Sequence, residues 1–182
     1  MASDFPNGYS CLEDKIDVFE DRVLGWQLNI AEQLIGKVNH SDYAKLSIVM
    51  SYFEMLGKHI AGYTGIYESK KHFLIGMKYV YQNRNSDYDI VFKHVYSKIR
   101  SGLYHVSLTS PTVFVLNHEG LKETFGYESD GQNVRILISP NNLISDTKSS
   151  FSRYVGELRK ASNKQLRQAF EARFNFDNGI TS

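Results

Sequence analysis

No proline stands between Pro6 and Pro111, and over that length apolar residues recur at steps of three or four. Proline is the residue that interrupts helices, and a three-to-four step places side chains on one helical face, so the pattern demands long amphipathic helices. Ile16, Phe19, Val23, Trp26, Ile30 and Leu34 form one such stripe, with Leu24, Leu28, Ala31 and Ile35 beside it. Ser10-Cys11-Leu12-Glu13 reads as the capping box that starts this first helix. A second helix opens at Ser41 and Asp42, carries Leu46, Val49, Met50, Phe53, Leu56 and Ile60, and thins through Gly57 and Ala61 before ending at Gly62. Glu68 to Tyr81 makes a third, with Phe73, Met77 and Tyr81 inward and Lys70, Lys71 and Lys78 outward. A fourth, capped by Asp87, runs through Ile90, Val91, Val95, Ile99 and Leu103.

Beyond Pro111 the texture changes to short β-branched runs broken by Gly120, Gly126 and Gly131, which predicts a small antiparallel hairpin or three-stranded insert within residues 112–138. Ser139-Pro140 restarts a helix with serine as cap and proline at the first helical position, and Leu143, Phe151, Val155 and Leu158 mark its apolar side. A further capping box at Ser162-Asn163-Lys164-Gln165 begins a last helix through Leu166, Phe170 and Phe174. The expected fold is therefore mainly all-α, a single domain over 1–182 with a β insert and C-terminal helices over 139–175.

Composition narrows the function classes. A net charge of +1 argues against a broad nucleic-acid-coating surface, so any such site must be local. Cys11 is the sole cysteine, which excludes an internal disulfide and thiolate clusters and suggests a reducing compartment. Residues 1–8 carry neither a basic nor an apolar leader region, and no apolar run reaches membrane-spanning length. These features predict a cytoplasmic protein with no membrane partner.

The chemistry concentrates in Arg100-Ser101-Gly102-Leu103-Tyr104-His105. Arginine is a permanent cation suited to phosphate, and histidine can give or take a proton near neutrality. In a continuous α-helix a five-residue separation leaves two side chains about 140° apart and roughly 7.5 Å displaced along the axis. Convergence then requires either a helix loosened at Gly102 or a second copy of the chain presenting its own motif in a shared cleft. His94, Lys98, Ser101 and His105 share one face, read as a solvated side. His40, His59, His72 and His118 lack the spacing of a zinc site, and no phosphate loop or nucleophile elbow occurs, so neither a metal nor a cofactor is expected. Glu54, inside the apolar run of the second helix, is either the i+4 partner of Lys58 or a carboxylate supporting the site.

This motif, at the end of an apolar helix preceded by other helices, resembles the Arg-x-x-x-x-His signature of HEPN domains, which are helical proteins of toxins, antiviral systems and RNA-processing factors. The resemblance implies a homodimer with facing motifs, an RNA substrate and metal-independent endoribonuclease activity, with a toxin or defence setting and an antitoxin or defence-system partner. Carried over, Arg100 holds the scissile phosphate and His105 is the general acid or base, giving a 2′,3′-cyclic phosphate; Ser101, Tyr104 and Glu54 are auxiliary positions. Ser101 departs from the asparagine, aspartate or histidine frequent there, and Ser107 stands where some toxin members carry a modified tyrosine. The alternative is an inactive helical module for dimerisation or for binding RNA or a partner, in which Arg100 pairs with a carboxylate such as Asp87 or Glu54 and His105 terminates the helix.

Overall fold

The computed structural model describes residues 11–82, 88–116, 123–130 and 134–180. It is mainly helical, with a three-stranded sheet inserted between helices. In chain order the elements are α1 (Leu12–Val23), α2 (Asn29–Gln33), α3 (Asp42–Ala61), α4 (Ser69–Val80), α5 (Tyr88–His94), α6 (Ser101–Val106), β1 (Val113–Val115), β2 (Phe125–Ser129), β3 (Val134–Ile138), α7 (Pro140–Leu158) and α8 (Lys164–Asp177). Two stretches of wider π-helix, Leu24–Leu28 and Val95–Arg100, join α1 to α2 and α5 to α6 without a break in right-handed backbone. Serving as the N-cap of α1 is Cys11, whose amide donates to Asp14 Oδ2 at 3.2 Å; this cap lies one residue later than the expected box, whose Ser10 falls outside the described residues.

The π turns explain where the sequence stripes depart from α periodicity. Ile16, Phe19 and Val23 are buried as expected, but the next buried residues are Leu28 and Ala31, while Trp26 and Ile30 face solvent. The step from Val23 to Leu28 is five residues, the closure of a π turn, so burial passes from the first apolar line to the second. In the other long helix, Val91, Val95, Ile99 and Leu103 are all buried at steps of four. Each such step overshoots an α turn by about 40°, and the wider turn at Val95–Arg100 takes up that drift. Ile90, expected on this stripe, is exposed, and Phe92 is buried instead. The expected cap Asp87 lies outside the described residues.

Around the central helix α3 the core is built from Leu46, Val49, Met50, Tyr52, Phe53 and Leu56, all fully enclosed. Helix α3 does not receive its expected serine cap, because Ser41 Oγ donates to Leu34 O instead. Its thin end does bring a neighbour close: a Cβ on Gly57 would lie 1.8 Å from the carbonyl oxygen of His72, and one on Gly76 would lie 2.0 Å from that of Phe53. Helices α3 and α4 are thus in backbone contact through two reciprocal glycines. Gly62, in left-handed conformation at φ 61°, ends α3 where the sequence placed its stop.

The sheet order is β1-β3-β2, with β2 antiparallel to β3 and β1 parallel to it. The parallel edge corrects a purely antiparallel insert: the chain reaches β3 only after passing through β2, so β1 and β3 run the same way. Ile136 and Ile138 of β3 are buried, which places one face of the insert against the helices. Ser139 caps α7 by accepting from the Asn142 amide, with Pro140 at the first helical position, as its sequence predicts. At α8 the expected capping box is not formed; the Asn163 side chain instead donates back to Glu157.

Candidate functional site

Arg100 closes the π turn, and Ser101 begins α6. Tyrosines stand one turn before it and one turn after it in sequence, and the guanidinium lies over both rings, 5.5 Å from the centroid of Tyr96 and 4.7 Å from that of Tyr104. Tyr96 is in turn set edge-on against the buried Phe73 of α4, at 5.2 Å. The ring of Tyr104 is tethered by its hydroxyl, which donates to Ser47 O of α3 at 3.4 Å. The arginine is therefore flanked by two rings before its counter-ion is considered.

Its counter-ion is Glu54, delivered from the middle of α3. Arg100 Nη2 donates to Glu54 Oε2 at 2.6 Å, Lys58 Nζ donates to Oε1 at 2.7 Å, and Ser69 Oγ of α4 donates to the same oxygen at 2.8 Å. Glu54 thus makes the expected i+4 pair with Lys58, and it also pairs with Arg100, the contact expected of the inactive module. The side chains of Arg100, Glu54 and Lys58 are 16%, 14% and 12% exposed, so the cluster is enclosed yet still touches water. Burial alone would raise the Glu54 pKa, but the hydrogen bonds from Lys58 and Ser69 and the two cations outweigh it and hold the carboxyl below its ordinary value. Arg100 Nε is buried and has no hydrogen-bond partner among the described residues.

His105 lies in the last turn of α6 with its side chain exposed. Gly102 does not loosen the helix, which closes one of the two routes to convergence that the sequence left open. A Cβ there would lie 2.3 Å from Leu108 O, so the glycine lets the returning chain pack on α6, and Ser107 in left-handed conformation ends the helix. Arg100 and His105 thus remain on one continuous right-handed helix and diverge as α geometry requires. The half-buried Ser101 sits between them in sequence, on the first turn of α6.

The other face of this helix is also reassigned. Lys98 Nζ donates to Thr112 Oγ1 at 2.8 Å, and the His94 ring stacks on Tyr127 of β2 at 6.1 Å. The N-terminal half of the supposed solvated side, His94 and Lys98, is where the β insert docks, while His105 on the same side is exposed. Burial and the nearby Lys98 cation lower the pKa of His94. His59 and His72 are core side chains bonded to the Met55 and Glu68 carbonyls, and His118 lies outside the described residues. Among the described residues no group of His, Cys, Asp and Glu could hold a metal ion, and no helix is long and apolar enough to cross a membrane.

Sequence reasoning missed Ser69 as part of the site and gave Tyr96 no role. The tyrosines were legible as Tyr96-x-x-x-Arg100-x-x-x-Tyr104, a spacing that stacks side chains along a helix. Ser69 left no such mark, because its place depends on the approach of α4 to α3. Comparison of the chain with family models, curated proteins and solved structures finds no match.

Proposed function

We propose that the chain is a HEPN-type endoribonuclease that works as a homodimer in a toxin or antiviral defence setting, with Arg100 and His105 of the two copies forming a shared cleft. The observation that carries this reading is the preorganised guanidinium, held between two tyrosines and a carboxylate on the same helix as an exposed histidine. A transition-state cation is most effective when its position is fixed before charge develops. Because the two side chains diverge along their helix, pairing of two copies supplies the convergence that one copy lacks. Tyr43, Tyr104 and Leu108 give the motif an exposed apolar rim suited to such pairing.

In the reaction an RNA 2′-oxygen attacks the adjacent phosphorus, the bond to the 5′-oxygen breaks, and the products are a 2′,3′-cyclic phosphate and a 5′-hydroxyl. Arg100 neutralises the phosphoryl oxygens; His105 takes the 2′ proton or protonates the leaving oxygen. No metal enters this scheme, and DNA, lacking the nucleophile, is not a substrate. The test is cleavage of a labelled RNA panel in EDTA by wild type, Arg100→Ala and His105→Ala. Loss of roughly 10²- to 10⁴-fold in both variants is expected. Equal activity, or equal inertness, in all three overturns the roles.

The second reading, an inactive helical dimerisation or binding module, is favoured by the pairing of Arg100 with Glu54. It expects the same substitutions to change self-association and leave no turnover to lose.

A further inference from the structure

Glu54 receives three donors from three parts of the chain: a guanidinium from the end of the π turn, an ammonium from its own helix and a hydroxyl from the first residue of α4. Two cations share this single carboxylate, so the cluster carries more positive than negative charge. Arg100 Nε is buried and has no hydrogen-bond partner among the described residues. The helix that contributes Ser69 begins at this cluster, and its first amides have no side-chain cap. A carboxylate can accept only at two oxygens, whereas a tetrahedral oxyanion offers more acceptors and more charge to the same donors.

We infer that Lys58, Ser69 and Arg100 form a binding site for a phosphate-type oxyanion, and that Glu54 is its resident occupant, which an incoming phosphate displaces. The site closes on itself through Glu54 when no ligand is present. This extends the phosphate role given to Arg100 above and rests on that role alone; it requires neither cleavage nor His105. It also makes the ion pair that favours the inactive reading the resting state of a ligand site. The same donors would take a backbone phosphate of RNA or a free phosphate.

The full chain carrying Glu54→Gln, which removes the resident charge and keeps the shape, is titrated with inorganic phosphate at constant ionic strength. Binding is followed on the Arg100 Nε–Hε resonance and by thermal melting. Glu54→Gln is expected to bind phosphate about tenfold more tightly than wild type, and Glu54→Gln combined with Lys58→Met is expected to lose that gain. Should Glu54→Gln fail to fold in chloride, phosphate is expected to restore folding by replacing the missing anion. Phosphate affinity no greater than wild type in the folded variant overturns the inference, as does a double variant that binds equally well, or an unfolded variant that phosphate does not rescue. A short RNA added as competitor identifies the source: displacement of phosphate assigns the site to the RNA backbone, and absence of displacement assigns it to free phosphate. Absence of RNA cleavage by the wild type, with phosphate binding intact, counts against the nuclease reading and leaves this site standing.

Discussion

Helix α3 contributes to two charge clusters, through Glu54 and Lys58 to one and through His59 to the other, and they use arginine in opposite ways. On one side Arg173 of α8 spends its donors on fixed partners: Nη1 bonds the carbonyls of Tyr63 and Gly65 at 2.7 and 2.9 Å, and Nε bonds Asp177 Oδ2 at 2.9 Å. Backbone carbonyls cannot leave, so this arginine pins the loop after α3 to α8. On the other side Arg100 has, among the described residues, one hydrogen-bonded ion pair to a side chain that is itself shared, and a buried Nε with no hydrogen-bond partner. Since buried donors are ordinarily satisfied, the difference separates an arginine that builds the fold from one whose hydrogen bonding is incomplete in the resting chain.

The largest effect expected from breaking this contrast is on the structural side. Arg173→Met removes two charge-assisted bonds to carbonyls and the pair with Asp177, and is expected to cost about 3 kcal/mol in urea unfolding. A cost below about 1 kcal/mol would mean that Arg173 is no anchor. His59 tests the same cluster by pH. It is packed 4.5 Å from the Phe19 ring centroid, and burial pushes its pKa down to about 4, despite the opposing influence of the Met55 carbonyl and Asp177. The folded state then binds this proton less readily than the unfolded chain, so stability is lost as pH falls from about 6.5 towards 4, at up to about 1.4 kcal/mol per pH unit. Replacing His59 with Gln is expected to flatten that slope while lowering stability at pH 7. An unchanged slope would show that other groups set the acid limit.

On the Arg100 side the expected stability cost is smaller. Arg100→Met leaves Glu54 with Lys58 and Ser69, so a loss of about 1 kcal/mol is expected in the same urea assay, well under that of Arg173→Met. If the two arginines proved equally costly, the contrast between builder and available cation would fail.

Legibility in the sequence divides along similar lines. Helix stops at Gly62, the Ser139 cap and the inward faces of α3, α4 and α7 could be read because each is a local pattern. The two π turns could not: a five-residue step from Val23 to Leu28 looks like two competing α stripes until packing chooses between them. Arg100, His105 and Glu54 were found as residue types in a spacing. Their mutual geometry was not, because Glu54 meets Arg100 through the contact of two helices 46 residues apart in the chain. The parallel edge of the sheet and the docking of Lys98 on Thr112 were hidden for the same reason, being decided by where the chain returns.

The smallest effect is the sharpest probe of how Glu54 is held. Ser69→Ala removes one of the two donors to Glu54 Oε1 and leaves both cations in place. Burial favours the neutral acid, and the bond from Ser69 is one of the contacts that reverse this, so its loss raises the Glu54 pKa towards the ordinary range. A carboxyl held low stabilises the fold above its unfolded pKa and loses that contribution as pH falls through its folded pKa. The variant is therefore expected to lose acid stability at a slightly higher pH than wild type, by about 0.5–1 kcal/mol at its greatest. A carboxyl-carbon NMR titration of Glu54 reads the shift directly. A pKa that stays low in Ser69→Ala would assign the carboxylate to Lys58 and Arg100 alone, and Ser69 would drop out of the cluster.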